Sequence, residues 1–320
     1  MPDLHDTNVA VEFYEHRYEE GYMDEWEALK KQQVKEVLLG LGLPEKGKAL
    51  DFGCGTGVFT RIIKDTLPGW EVFGVEISKV AIQNASRKFP DCTFFTAENG
   101  KNHEHQFDLL FSHHVMEHVQ DLKETFNIMD SYLKPHSSQL HILPCGNPGS
   151  YEYNIAILKK NGIEKDKDNR FFFEEPGHLR RMTTDEFAKW ELNIGFELRK
   201  SFYANQKEGS INWITKASPR FVKKLTNSHD AVDRSATDQM KKLRKKLLPL
   251  TYLQFSYSKF WLTKTKRRKK GKDYLIMAVL FLPALVSKYF YDQMDRKALD
   301  EWASHKTESN GSEMFLYFSR

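Results

Sequence analysis

The hydrophobic positions change period along this chain, and the changes mark out its elements. Val34, Val37, Leu38 and Leu41 recur at three- and four-residue steps, the spacing of one helix face, so a helix is expected from about residue 9 to Gly40, closed by Gly40 and Gly42. Short apolar runs then alternate with helical ones. Strands are expected over 48–52, 71–77, 92–96, 107–111 and 139–143, and helices over 58–66, 78–89 and 121–133. Ser78 caps the second of these helices, and the third stops before Pro135. The run at 107–111 is apolar on both faces, as a strand buried in a parallel sheet is. A further helix over 183–193 opens at Thr183 and closes at Gly195, followed by strands over 196–203 and 313–318. The alternation predicts an α/β fold: a mostly parallel sheet with helices on both faces and an antiparallel last strand.

Glycines follow the first strand in the order Asp51-Phe52-Gly53-Cys54-Gly55-Thr56-Gly57 and lead into a helix, the setting in which a glycine loop meets a ligand. A dinucleotide loop reads GxGxxG, because a pyrophosphate sits on the helix amino terminus. Here the spacing is shorter and Asp51 precedes it, a carboxylate that repels a pyrophosphate and suits a cation. S-adenosylmethionine carries an ammonium and a sulfonium, so the loop favours that methyl donor over NAD. Glu76, in Gly74-Val75-Glu76-Ile77-Ser78 at the end of the second strand, is placed to accept hydrogen bonds from both ribose hydroxyls.

These segments, with Phe107-Asp108-Leu109-Leu110-Phe111-Ser112, Val115-Met116-Glu117-His118-Val119, Leu133-Lys134-Pro135 and Gly195-Phe196-Glu197, resemble the class I S-adenosylmethionine-dependent methyltransferases. The resemblance is nearest to the branch of ubiquinone-biosynthesis and small-molecule O-methyltransferases. It runs over about residues 10–203 plus the last strand and implies a Rossmann-like sheet. It also implies S-adenosylmethionine as cofactor, S-adenosylhomocysteine as product, and contacts from Asp51, Gly53 and Gly55 to the methionine part. Cys54 and Gly57 complete that loop. Glu76 and Ile77 would meet ribose and adenine, Ala97, Glu98 and Asn99 the adenine edge, and Ser112 and His113 the cofactor floor. Tyr14, Arg17 and Tyr22 would belong to an amino-terminal lid, although aromatics at helical spacing also serve packing. Lys134-Pro135-His136-Ser137 stands where the family has a Gly-Gly turn.

Methyl transfer to a hydroxyl needs positioning and a base, and histidine suits that task near neutral pH. His118 is the first candidate, His114 the second, and His178 a third; His118 could equally shape the loop by bonding its backbone. Asn147, Arg180 and Arg181 are candidate substrate contacts, guanidinium suiting a carboxylate or phosphate. The arginines could equally pair with Glu174, Glu175 and Asp185 at the surface. No metal site is expected, since Cys54, Cys92 and Cys145 form no ligand spacing. They suggest a reducing, cytoplasmic setting, and the first residues show no signal-peptide pattern.

Charge divides the chain. Residues 216–272 hold 18 Lys or Arg against three Asp, a net +15, which leaves −11 on the rest. Four regions are therefore expected: a helical lid over 1–45, a cofactor-binding catalytic domain over 46–204, a helical basic and apolar insertion over 205–311, and the last strand over 312–320. Within the insertion, 264–272 is almost wholly basic and 274–286 holds 13 residues without a charge. A helix buried inside the insertion is the first reading of the apolar run, contact with an anionic membrane surface through 264–290 the second, and a membrane span the last. The leading functional expectation is O-methylation of a small molecule or a glycan- or lipid-linked acceptor. An RNA-modifying enzyme gripping nucleic acid with the basic segment, or a non-catalytic module, are the alternatives. RNA is the weaker of the two ligands, because the chain has neither an Asn-Pro-Pro-Tyr signature nor a two-cysteine arrangement.

Overall fold

A computed structural model of the chain describes residues 15–18, 26–160, 162–163, 178–266 and 269–320. They fall into two compact units. The first takes its residues from 1–145, 175–202 and 314–320, the second from 146–174 and 203–313. The described residues 146–160 and 162–163, expected within a domain over 46–204, group with the second unit.

The sheet has seven strands: β1 Gly47–Phe52, β2 Trp70–Glu76, β3 Thr93–Thr96, β4 Phe107–His113, β5 Leu133–Pro144, β6 Glu197–Ala204 and β7 Glu313–Ser319. Their order is β3-β2-β1-β4-β5-β7-β6, parallel through the first five and antiparallel at the last. The expected α/β class and strand set are therefore observed. The helices between the strands are α1 Ala28–Gly40, α2 Val58–Thr66, α3 Lys79–Lys88, α4 Leu122–Tyr132, α5 Tyr151–Ala156 and α6 Thr184–Asn193. Local chemistry sets their starts. Ser78 Oγ accepts from Ala81 N at 3.1 Å, Asp121 accepts from Glu124 N, and Thr183 with Glu186 forms a capping box.

β5 begins earlier than expected, directly after α4. Its pairing with β4 slips between Phe107↔Leu133 and Leu109↔Ser138, so the Lys134–Ser137 stretch is absorbed as a bulge. Lys134 Nζ closes it on the Asp108 carboxylate at 2.8 Å. The core of this unit is apolar: Leu50, Phe107, Leu109, Phe111, Leu140, Phe187 and Phe315 are fully buried.

Because β2 and β4 lie on opposite sides of β1, the chain turns away in opposite directions beyond β1 and β4. Such a switch point leaves a crevice at the strands' carboxyl ends. Phe52 is level with both Val75 and Ser112, so the ends of β1, β2 and β4 are brought to one place.

The second unit adds α7 Glu208–Lys216, α8 Pro219–Leu225, α9 Arg234–Thr265 and α10 Gly271–His305. Ile211, Ile214, Val222, Leu225, Leu247 and Met294 form its core, which joins α7 and α8 to one end of the α9–α10 pair. The apolar run at 274–286 lies within α10. Only 11% of that helix's most apolar 18-residue window is buried, which overturns the reading of a helix hidden inside the insertion. Pro283 does not interrupt it.

Candidate functional site

Two loops bound the crevice in the sheet-bearing unit. The first leaves β1 and folds over the end of β2, Gly53 and Cys54 both donating their amides to Val75 O at 2.8 and 3.0 Å. Gly53 has φ 73°, and a Cβ on it would lie 2.4 Å from Val115 Cγ2. Any other residue there would be strained and would push the two loops apart. The Cys54 sulfur lies 2.8 Å from where a side chain on Gly74 would begin, so it packs beneath the loop.

Two carboxylates are buried in this loop pair. Asp51 is 1% exposed and its Oδ2 accepts from Thr60 Oγ1 at 2.6 Å. Burial pushes its carboxyl up to about 7, with the Thr60 bond opposing and the Glu76 charge adding. Glu76 Oε2 accepts from Gly55 N at 3.1 Å, and Oε1 from Ile77 N at 2.8 Å and Ser78 N at 3.4 Å. Burial raises its pKa too, against those three bonds. Buried carboxylates of this kind are costly until a cation or hydroxyl donors meet them. A ligand with an ammonium, a sulfonium and a ribose supplies both, so the residues present fit S-adenosylmethionine. Ile77 leaves 43% of its surface open, an apolar wall beside Glu76. Ala97, Glu98 and Asn99 are exposed on the turn after β3, Glu98 paired with Lys79 at 3.1 Å.

Asp51 gives the site a pH dependence. Between the ordinary carboxyl value near 3.8 and about 7, the folded chain holds a proton at Asp51 that the unfolded chain has lost. This group's contribution to stability therefore falls as pH rises through that window. A cation binds the ionised form, so its affinity rises over the same window and levels off above it. Calorimetric titration with S-adenosylmethionine is expected to show binding about tenfold weaker one unit below the Asp51 pKa than one unit above it. A flat profile in the parent chain, or a pH dependence that persists in Asp51→Asn, would refute this assignment.

The described helical residues 15–18 also reach this edge. Glu15 accepts from Ser78 Oγ at 3.1 Å, Lys79 N at 2.8 Å and Val80 N at 3.1 Å, a carboxylate on the positive end of α3. Tyr18 Oη would be 3.0 Å from a Cβ on Gly55. Arg17 lies half-buried on the same turn, while Tyr14 and Tyr22 lie outside the described residues. Glu15 carried no sequence signal, because its partners come from a segment some sixty residues away.

The second loop leaves β4. Ser112, expected on the cofactor floor, places its Oγ 2.7 Å from His141 Nδ1. His141 Nε2 lies 2.9 Å from Glu191 Oε1, and Gln139 Nε2 donates to Glu191 Oε2 at 2.8 Å, all three residues fully buried. The polar pair Gln139 and His141 within the apolar run of β5 was the available signal for this network. His113 packs between Phe59 and Trp26, with ring centroids at 4.0 and 4.5 Å. Burial, aided by the His114 and Lys30 charges, pushes its pKa well below the usual histidine range, so it is neutral.

His114 has a left-handed backbone, φ 53°, and its Nδ1 lies 2.7 Å from Glu117 Oε1. Burial of Glu117 opposes its charge, yet the His114 charge and hydrogen bond, with His118 and His178 adding, hold its pKa near 2. It is ionised throughout the physiological range. His118 and His178 face each other with ring centroids 4.5 Å apart, and Leu179 N donates to Glu117 O at 2.7 Å, which fastens the two segments together. One ligand atom from each of Glu117, His118 and His178 falls within 4.8 Å of the others, a proximity invisible in the sequence because sixty residues intervene. The structure thus gathers His118 and His178 about Glu117, whose other neighbour is His114.

The expected substrate contacts each meet backbone carbonyls. Arg180 donates to Val119 O, Gln120 O and Met116 O, and so staples the second loop. Arg181 is buried, with Nε donating to Cys145 O at 3.0 Å. Asn147 donates to Ser309 O at 3.0 Å within the second unit.

The family model described as a methyltransferase domain matches residues 18–201 of this chain. Trans-aconitate 2-methyltransferase of Escherichia coli is 27% identical over 206 residues, covering 63% of this chain and 79% of that protein. Malonyl-[acyl-carrier protein] O-methyltransferase 2 of Ilyobacter polytropus is 32% identical over 90 residues, 27% of this chain, and only 35% of that relative's length is spanned. Among solved structures, the S-adenosylmethionine dependent methyltransferase of Mesorhizobium loti has a TM-score of 0.40 at 18% identity, covering 62% of this chain and 92% of that one.

Proposed function

We infer the reaction from family membership: the chain belongs to the class I S-adenosylmethionine-dependent methyltransferases, and we propose that it methylates a hydroxyl of a small-molecule or of a lipid- or glycan-linked acceptor, with His118 as the base. The observation that supports this reading most is the pair of buried carboxylates, Asp51 and Glu76, at the switch point of the sheet. When bound, the donor supplies an electrophilic methyl group and leaves as S-adenosylhomocysteine. Asp51 holds the ammonium end and Glu76 accepts from the ribose. The 3.4 Å contact from Ser78 N is the weakest of the Glu76 bonds and the one a ribose hydroxyl exchanges for. His118 takes the proton of the acceptor hydroxyl. Glu117, ionised and buried beside it, steadies the imidazolium that results, and His178 flanks the proton acceptor. The relatives are named for different acceptors, trans-aconitate and malonyl-[acyl-carrier protein], which supports an acceptor outside nucleic acid without specifying one.

The test is transfer of label from methyl-labelled S-adenosylmethionine into aqueous and lipid extracts. A labelled methyl ether is expected, and His118→Gln is expected to slow its formation about a hundredfold while donor affinity stays unchanged. Label that never leaves a tightly bound donor would replace this reading with a non-catalytic module. Undiminished turnover in His118→Gln would remove His118 as the base.

A further inference from the structure

The helical pair α9–α10 carries an apolar surface that the fold leaves uncovered. The buried positions of α10 are settled: Asp273, Ala284, Ser287, Met294, Ala298 and Trp302, spaced at the three-, four-, seven- and eleven-residue steps of one helix face. Phe260 meets Phe281 at 6.2 Å and Tyr257 meets Tyr291 at 5.5 Å between the two helices. The opposite face of α10 is where a soluble helix places its charges. Here it presents Leu275, Val279, Leu282, Leu285, Val286 and Tyr289, all exposed. Trp261 and Leu262 extend the exposed apolar surface onto the end of α9. A contiguous apolar face of this extent marks a surface with a partner.

The charge around the face identifies the partner. The described residues Lys264, Lys266, Lys269, Lys270 and Lys272 crowd the α9–α10 turn, and Lys288 follows the apolar run. Asp273 answers Lys266 at 2.8 Å and Asp292 answers Lys288 at 2.7 Å, while Lys264 lies 4.3 Å over the Trp261 ring. Aromatic rings and lysine stems at the border of an apolar helix face match the boundary between lipid headgroups and acyl chains. The 13 uncharged residues over 274–286 extend about 20 Å as a helix, short of the roughly 30 Å that a hydrocarbon core requires. They are long enough to lie in the interface. By length and composition alone, an 18-residue window of α10 would also suffice to cross a bilayer. It is the lysines and aromatic rings bordering the face that favour the in-plane placement.

We propose that the outer face of α10, together with the lysines of the α9–α10 turn, docks this protein in the plane of an anionic lipid bilayer. The inference stands apart from the methyl-transfer reading, since it uses none of the donor-site residues and its readout needs no catalysis.

Flotation of the full chain with vesicles tests it. Binding is expected to vesicles containing phosphatidylglycerol, and far less to pure phosphatidylcholine, with the difference falling as salt is raised. The triple change Leu275→Ser, Leu282→Ser and Leu285→Ser alters exposed side chains only, so its cooperative unfolding should match the parent. Its partitioning onto anionic vesicles should drop by at least about tenfold. Replacing Lys264, Lys269, Lys270 and Lys272 by Glu should abolish the preference for anionic lipid. Absence of flotation, or flotation indifferent to both sets of changes, overturns the proposal. So does a stable dimer of the parent chain that the triple change dissolves while vesicle binding is unaffected, since the face would then be covered by a second copy.

Discussion

Glu76→Ala is expected to weaken S-adenosylmethionine binding by two to four orders of magnitude, measured by isothermal titration above pH 7. In the proposed site the carboxylate accepts from two ribose hydroxyls, and hydrogen bonds to a charged group contribute about 1.5–3 kcal/mol each. Two such bonds correspond to about 3–6 kcal/mol, which gives the range stated. A second effect acts in the same direction. Glu76 Oε2 holds Gly55 N at 3.1 Å, so its removal releases the middle of the glycine loop as well. The apo variant should keep a single cooperative unfolding transition, because Glu76 ends its strand and lies outside the apolar core. Donor binding within about threefold of the parent would show that Glu76 has no part in holding the donor.

Glu191→Ala is expected to lower the unfolding free energy by about 3–5 kcal/mol, read from denaturant titration. Glu191 belongs to α6 and is fully buried against β5. Its two oxygens face His141 Nε2 at 2.9 Å and Gln139 Nε2 at 2.8 Å, and His141 in turn faces Ser112 Oγ at 2.7 Å. Removing the carboxylate leaves the Gln139 amide without its acceptor, removes the charge facing His141, whose Nε2 keeps Gln139 Oε1 at 3.1 Å, and opens a cavity beside Phe187. Because Ser112 lies level with Phe52 at the end of β1, the loosening reaches the floor of the crevice, and donor affinity should fall alongside stability. Glu191→Gln keeps the volume and one acceptor, and should recover part of both losses. A loss below about 1 kcal/mol would mean that water replaces the carboxylate in this network.

Much of the sheet was legible because its signals are local. The boundaries of α2 and the caps of α3, α4 and α6 follow from residues adjacent in the chain: Ser78, Asp121, and Thr183 with Glu186. Asp51 and Glu76 were legible as well, since a ligand loop at a strand's end depends on the few residues beside it. The bonds that Ser112, Arg180, Arg181 and Asn147 make were not legible, and all four share one physical reason. A hydroxyl, guanidinium or amide is equally able to hold a ligand or to satisfy a buried carbonyl or ring nitrogen. Which it does depends on groups distant in sequence: His141 for Ser112, the 116–120 carbonyls for Arg180, Cys145 for Arg181 and Ser309 for Asn147.

What the sequence determines by itself is the α/β alternation, the glycine loop with its leading carboxylate, and the division into an acidic body and a basic segment. Periodicity, turn chemistry and charge count are properties of neighbouring residues, and they survive any arrangement of the rest. Tertiary structure alone decides which histidines act together, bringing His178 to His118 over Glu117 and engaging His114 with Glu117 on a strained backbone. It alone turns the apolar run of α10 outward, leaving Ala284 and Ser287 among the buried positions of that helix. An uncharged stretch reads the same whether a protein core or a lipid surface covers it; only the positions of its neighbours distinguish the two.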